Sequence, residues 1–544
     1  MRPRARISAR QGGIATILLA GLLGLFCGQA VSAQTLAFTV TPEPAAARFH
    51  VVFQVAGASA GFQDFEMPAW MPGYYRLMDY AQYVSGFRAQ DGTGRDLGWE
   101  QVTPHTWRVV TGHAAKVRLS YDVAATRPFA ADNSIAADRA FIAPPGMFLY
   151  LPGKLNRPVS LTVKLPAAWR RIATGLAPVA GRAGAFMAPN FDVLFDSPLL
   201  LGNQEQLHFS VGGVPHTIAL EDVPASVDRA KMAADLRRIV AAATGLMGAI
   251  PYARYTFLLM GRGNGGIEHL NSAAIEFNGS QMSTPAEYQR WLSYVAHEYF
   301  HNFNVKRIRP LALGPFDYES ENLTHMLWVS EGLTVYYEDL LLVRAGLITP
   351  AQYLDTLQGA INRFENEPGR PYQSATESSL TTWGTSGVGG DRYTTISYYD
   401  NGGILGAVLD LAIRHDSQNA RSLDDVMRYL YRAYYLQDQR GFTDAEFREA
   451  CEQAAGHSLA EVFGYASTTA PINYEKYFGY AGVAVETSAD RGTRAAGALG
   501  PAPADATADA YLGLDTGALS LPPIAGRGGG RGRGAAAPPG AVIV

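Results

Sequence analysis

The sequence predicts a multidomain protein in which a β-rich, sandwich-like N-terminal domain precedes a mainly α-helical domain. Three observations carry this. The chain has 544 residues, several times the ~100 to 150 at which single domains cluster. Its first third alternates apolar and polar residues in short runs cut by Pro and Gly, the pattern of half-buried antiparallel strands. Near Pro224 the period changes from two residues to that of a helix.

Residues 1–33 form the first segment. Arg2, Arg4, Arg6 and Arg10 precede an apolar run from Ile14 to Phe26, and small residues end at Val31-Ser32-Ala33. This is the layout of a secretory signal peptide cut after Ala33. The run falls short of the ~20 residues that a membrane span requires, and no later segment is long and apolar enough. The expectation is therefore an exported chain, periplasmic or secreted, with no stable membrane insertion after cleavage. Cys27 leaves with the signal, and Cys451 alone cannot form an internal disulfide, so the fold must rest on its core.

Residues 34–223 are read as the β-rich domain, with Phe49–Val55 and Lys116–Val123 as its clearest strands. Residues 224–480 form the second domain. Apolar residues recur at helical spacing from Ser226 to Met247, and Thr284-Pro285-Ala286-Glu287 and Thr349-Pro350-Ala351-Gln352 are helix starts: a capping Thr, a Pro at the first helical position and an acid or amide at the third. Two strand-like stretches interrupt the helices, at Tyr255–Met260 and Ala273–Phe277. Residues 481–544 are read as a flexible tail, because the Gly, Arg, Ala and Pro tract at Gly526–Pro539 cannot bury enough apolar surface to offset chain entropy.

Composition narrows function by exclusion. A net charge of -4 on so long a chain gives no basic field for phosphates, so nucleic acid is not expected as a partner. The chemistry-bearing pattern is His297-Glu298-Tyr299-Phe300-His301. Residues four apart share one helical face, so both imidazoles can reach a single ion, while Glu298 on the adjoining flank is placed to act on a metal-activated water. One Zn2+ per chain is expected. Three carboxylates compete for the third ligand position. Glu331 is favoured, because Met326, Leu327, Leu333 and Tyr337 surround it at core-like helical spacing; Glu319 and Glu321 sit in a loop-like stretch. Glu338, two turns beyond Glu331, could orient a ligand histidine.

His297 to His301, followed by Asn304-Val305-Lys306-Arg307-Ile308-Arg309-Pro310 and by Leu327-Trp328-Val329-Ser330-Glu331-Gly332-Leu333-Thr334-Val335-Tyr336-Tyr337, closely resembles the M61 peptidases, the glycyl aminopeptidase family. Pro68-Ala69-Trp70-Met71-Pro72-Gly73-Tyr74-Tyr75-Arg76 in the N-terminal part resembles it too. The resemblance implies a thermolysin-like zinc peptidase domain, peptide substrates, and removal of small N-terminal residues, Gly and Ala especially. It also implies a substrate-binding segment at Gly265-Gly266-Ile267-Glu268-His269. There Gly266 lines the substrate and Glu268 meets its ammonium, by the charge-assisted hydrogen bonding an exopeptidase needs. It implies further that Tyr399, in Tyr399-Asp400-Asn401-Gly402, donates to the oxyanion of the tetrahedral intermediate, with Tyr398 and Tyr393 as rivals. Phe303 and Asn401 depart from the Trp and Lys usual in the family, and the stretch after Tyr480 is too short for the PDZ domain that commonly follows. The leading expectation is an exported aminopeptidase with Glu298 as general base. An endopeptidase on the same site and a non-catalytic periplasmic peptide-binding protein are the alternatives.

Overall fold

The structure, a computed structural model, describes residues 35–278, 282–384, 391, 393–487 and 541–543. The proposed signal segment at 1–33 and the tract Gly526–Pro539 lie outside these residues. Of the tail, Val485–Thr487 pairs antiparallel with Ala541–Ile543.

Alternation in the first third becomes strands as expected. Arg48–Ala56 buries Phe49, Val51, Phe53 and Val55 and turns the residues between them outward. It pairs antiparallel with Lys116–Ala124, Phe53 opposite Leu119. Both belong to a seven-stranded sheet that also contains Thr35–Glu43, Val84–Asp91, Val159–Val163, Ala177–Pro178 and Ala185–Ala188. The domain is not two facing sheets. A three-stranded sheet (Gly61–Glu66, Thr106–Gly112, Trp99–Thr103) and a four-stranded sheet beginning at Ser134–Ile135 and ending at Leu199–Gly202 close the same core. Aromatic rings join the layers: Phe65 of the three-stranded sheet meets Phe53 edge-on, and Phe53 stacks on its cross-strand partner Phe38.

A five-stranded mixed sheet follows, ordered Glu205–Val211, Val214–Glu221, Tyr255–Met260, Ser272–Glu276 and Gly265–Glu268. Its three central strands run parallel, and Gly265–Glu268 is an antiparallel edge. One face, with Ile218, Leu220, Phe257, Leu259, Ala273 and Ile275, packs into the core of the helical part. The other face, with Ala219, Leu258, Met260, Ile267 and Ala274, packs into the core of the N-terminal sheets. Burial on both faces explains why Tyr255–Met260 shows no alternation.

The strands of this sheet lie on both sides of the boundary expected at 223/224. The change of texture at Pro224 marks the first long helix, Arg229–Met247, but two strands of the sheet beneath it lie earlier in the chain. Their alternation is indistinguishable in sequence from that of the strands before them.

The helices start where their caps predict. Thr284 accepts from the Glu287 amide at the head of Pro285–Phe300, and Thr349 and Gln352 form a reciprocal capping box on Pro350–Glu365. Leu333–Arg344 is preceded by a π-helical turn, Trp328–Gly332, and Tyr398–Asp416 runs through the centre of the helical core. Among the described residues no helix is long and apolar enough to cross a membrane.

Candidate active site

His297 and His301 occupy the end of Pro285–Phe300 and its C-cap. The Nδ1 of His297 hydrogen-bonds Glu338 Oε2 at 2.8 Å, and that of His301 the Asn304 carbonyl oxygen at 2.7 Å. A carbonyl can only accept, so Nδ1 of His301 carries hydrogen and its Nε2 presents a lone pair when the ring is neutral. The two Nε2 atoms lie 3.0 Å apart, and Glu331 Oε2 lies 3.6 Å from that of His297 and 3.1 Å from that of His301. Three electron-rich atoms facing one another in a buried space need a cation between them. Two imidazole nitrogens and one carboxylate oxygen form a donor set that suits zinc and leaves a fourth position open. Among the described residues this is the only grouping of three such side chains within ligating reach.

Charge bears out the same need. Burial works against protonation of His297, but Glu331 and Glu338 hold the ring well above the ordinary imidazole range. Burial likewise works against ionised Glu331, yet His301 and His297 hold its carboxyl far below the ordinary carboxylate range. The pocket stabilises positive charge where the three atoms converge.

Glu331 is set by packing. It lies in the π-helical turn, a local widening that re-aims side chains and recurs at functional sites. Asn304 Nδ2 donates to the carbonyls of Val329 and Ser330, each at 2.9 Å, and to Thr334 Oγ1 at 3.0 Å, which ties this turn to the end of the motif helix. The Tyr75 hydroxyl, from the N-terminal domain, donates to Glu331 Oε1 at 3.3 Å. The rival ligands Glu319 and Glu321 are exposed in a loop. Behind Glu331 two backbones touch: a Cβ on Gly402 would come within 2.6 Å of the Trp328 carbonyl oxygen and 2.7 Å of Gly332 Cα. Gly402→Ala is therefore expected to destabilise by about 1–3 kcal/mol, as overpacking does; urea unfolding tests this, and an unchanged midpoint would show that the helices separate freely.

Glu298 points into the same space. It is 4% exposed, and its Oε2 makes no hydrogen bond. Burial pushes its carboxyl up to about 7, opposed by His297 and His301 and reinforced by Glu268 and Glu331. Gly266 faces it: a Cβ there would stand 2.8 Å from Glu298 Oε1 and 2.6 Å from the Tyr294 hydroxyl. Glu268, two residues along the edge strand, is also 4% exposed. Gly73, at φ +96°, presses on it so closely that a Cβ would meet Glu268 Oε2 at 2.7 Å. Only glycine meets both demands.

The Tyr399 ring is centred 6.2 Å from that of His297, with Tyr398 stacked on it at 4.7 Å. Tyr393 is 57% exposed, and it is Tyr399 whose ring lies beside that of His297. Phe303, the departure from Trp, is buried against Phe300 and Tyr431 in the helical core. The sequence did not single out Tyr75, Gly73, Asn304, Lys306 or Asp196 as site residues. The first four lie within the two motifs that carried the family resemblance, and that was their available signal.

Residues 37–203 match the peptidase M61 N-terminal domain, and residues 290–405 match M61 glycyl aminopeptidase. The chain belongs to the M61 peptidase family. This M61 chain is similar to an aminopeptidase N family protein from Idiomarina loihiensis, with 28% identity and a TM-score of 0.79 over 83% of this chain and 79% of that one. Its fold is also shared by an M1 zinc metallopeptidase from Deinococcus radiodurans, at 14% identity and a TM-score of 0.50 over 81% of this chain and 95% of that one. A mutant of that enzyme bound to a Tyr-Ser-Ala substrate matches at 13% identity and a TM-score of 0.51. Comparison with curated proteins gives no match. The M61 chain is a metallopeptidase, and His297, His301 and Glu331 are the residues that could hold its metal ion.

Proposed function

We propose that this M61 peptidase is an exported zinc aminopeptidase that removes small N-terminal residues, Gly and Ala, from peptides. The observation that carries the exopeptidase reading is Glu268, a buried carboxylate beside the metal ligands whose Oε1 accepts no hydrogen bond. A carboxylate in that state is suited to a substrate ammonium. Gly73 and Tyr75 of the N-terminal domain close the space beyond it, which suits a peptide that ends there. The Gly and Ala preference rests on the family's glycyl description, and export rests on the Arg-flanked apolar segment before Ala33.

Zinc held by His297, His301 and Glu331 would supply a Lewis acid that polarises the scissile carbonyl and makes water acidic near neutral pH. Glu298 then takes the proton of the attacking water and hands it to the leaving amine. Tyr399 offers its hydroxyl to the carbonyl oxygen as charge develops there. Gly265–Glu268 is last in its sheet, so its outer backbone groups are available to pair with the substrate main chain, and Gly266 leaves room for that approach.

The test compares alanine p-nitroanilide with its N-acetyl derivative. Glu268→Ala should keep zinc and lower kcat/KM for the free amine on the order of 10- to 100-fold, the worth of one charge-assisted hydrogen bond, and spare residual hydrolysis of the acetylated compound. An equal fall for both would favour the endopeptidase alternative.

A further inference from the structure

Behind Glu268 lies a cavity of about 80 Å³ whose lining includes Asp192, Asp196, Glu268, Lys306 and Arg309. Lys306 is buried there, and its Nζ donates to Asp196 Oδ1 at 3.0 Å while standing 3.4 Å from Glu268 Oε1, which accepts no hydrogen bond. Asp196 is held firmly. It caps the short helix Phe191–Phe195, its Oδ1 also bonds His269 Nδ1 at 2.9 Å, and its Oδ2 accepts from the Leu270 amide at 2.8 Å. Thus the two residues that follow Glu268 in the chain are anchored to one carboxylate of the N-terminal domain.

From this arrangement we propose that Asp196 is a positioning residue for amine recognition: it claims the Lys306 ammonium and so leaves Glu268 one uncompensated negative charge for the substrate N-terminus. The proposal rests on Glu268 being the ammonium-binding group. Two carboxylates face one ammonium, and His269, whose ring burial holds toward the neutral form, adds no charge. Asp192 and Arg309, the other charged groups of the cavity, are one of each sign. The balance is therefore a single negative charge, matched to one substrate ammonium. Without Asp196, Lys306 would turn wholly to Glu268, the only other carboxylate within ion-pair distance among the described residues, and compete with the substrate at low dielectric, where such pairing is strong. Asp196 and Glu268 together keep Lys306 charged against the opposing effect of burial.

The charge count gives a test with a sign that a structural role would not share. Asp196→Asn should raise KM for alanine p-nitroanilide on the order of tenfold, about 1.4 kcal/mol, with kcat changed less, one zinc per chain retained, and residual hydrolysis of the N-acetyl derivative unchanged. Asp196→Asn combined with Lys306→Met restores the single negative charge and should return KM toward wild type, even though two buried side chains have been altered. Should the single variant fail to fold, the double variant, which buries no unpaired charge at either position, carries the test alone. A double variant with KM as high as the single one, or higher, overturns the proposal. So does Asp196→Asn lowering activity on free and acetylated substrates alike. If Glu268→Ala also fails to distinguish the two substrates, the aminopeptidase reading falls with it; if Glu268→Ala distinguishes them and Asp196→Asn does not, only the role of Asp196 is lost.

Discussion

Glu298→Gln is expected to retain zinc, bind peptide normally and lose kcat by a factor of about 100 to 10,000, the usual contribution of a positioned general base. The amide has the size and shape of the carboxylate, so the contact with Gly266 and the burial of the side chain are kept. It cannot take a proton from water at neutral pH. Because the proton moves only as the transition state forms, the loss should fall on kcat and leave KM nearly unchanged. Steady-state kinetics with metal analysis on the same preparation decide this. A loss of less than about tenfold with zinc in place would mean that another group accepts the proton.

His301→Ala should empty the metal site, because it removes one of three protein ligands, and activity should vanish with the metal. A second consequence follows from burial. Glu331 is 2% exposed and is held ionised by the two imidazoles. Taking one away strands a buried carboxylate, and breaking such a pair costs about 3–5 kcal/mol when no partner replaces it. The thermal midpoint of the variant should therefore fall. Zinc binds only the folded chain and so stabilises it by mass action; a chelator should lower the midpoint of the wild type and leave that of His301→Ala where it is. Full zinc occupancy in the variant would remove His301 from the ligand set.

These outcomes concern the residues that local pattern reveals most directly. His297, Glu298 and His301 are legible because a five-residue spacing on one helix fixes their relative geometry, and Thr284 and Pro285 announce that helix. Glu331 is legible as a ligand from its helical texture, although the π-helical turn that aims it is not: that turn depends on the amide of Asn304 reaching across from the motif helix. Tyr75, Gly73 and Asp196 were hidden for a different reason. Each approaches from a distant part of the chain, Tyr75 to Glu331, Gly73 to Glu268 and Asp196 to Lys306, and one sequence carries no periodicity across such a gap. That two strands of the five-stranded sheet precede 223/224 was hidden for the same reason. A strand states through its alternation that one face is buried, but not against which neighbour.

The five-stranded sheet has two hydrophobic faces and no face of its own. Each domain supplies the cover for the other's side of it, so neither half of the chain is a self-sufficient unit, and the point where the family matches divide is not a place where the molecule can be cut. The edge strand Gly265–Glu268 hangs from that sheet, with Gly73 and Asp196 braced against it and the residues that follow it. A loosening of the contact between domains would therefore reach Glu268 before it reached His297, His301 and Glu331. In such a molecule the choice of substrate is the more fragile property, and the capacity for hydrolysis the more durable one.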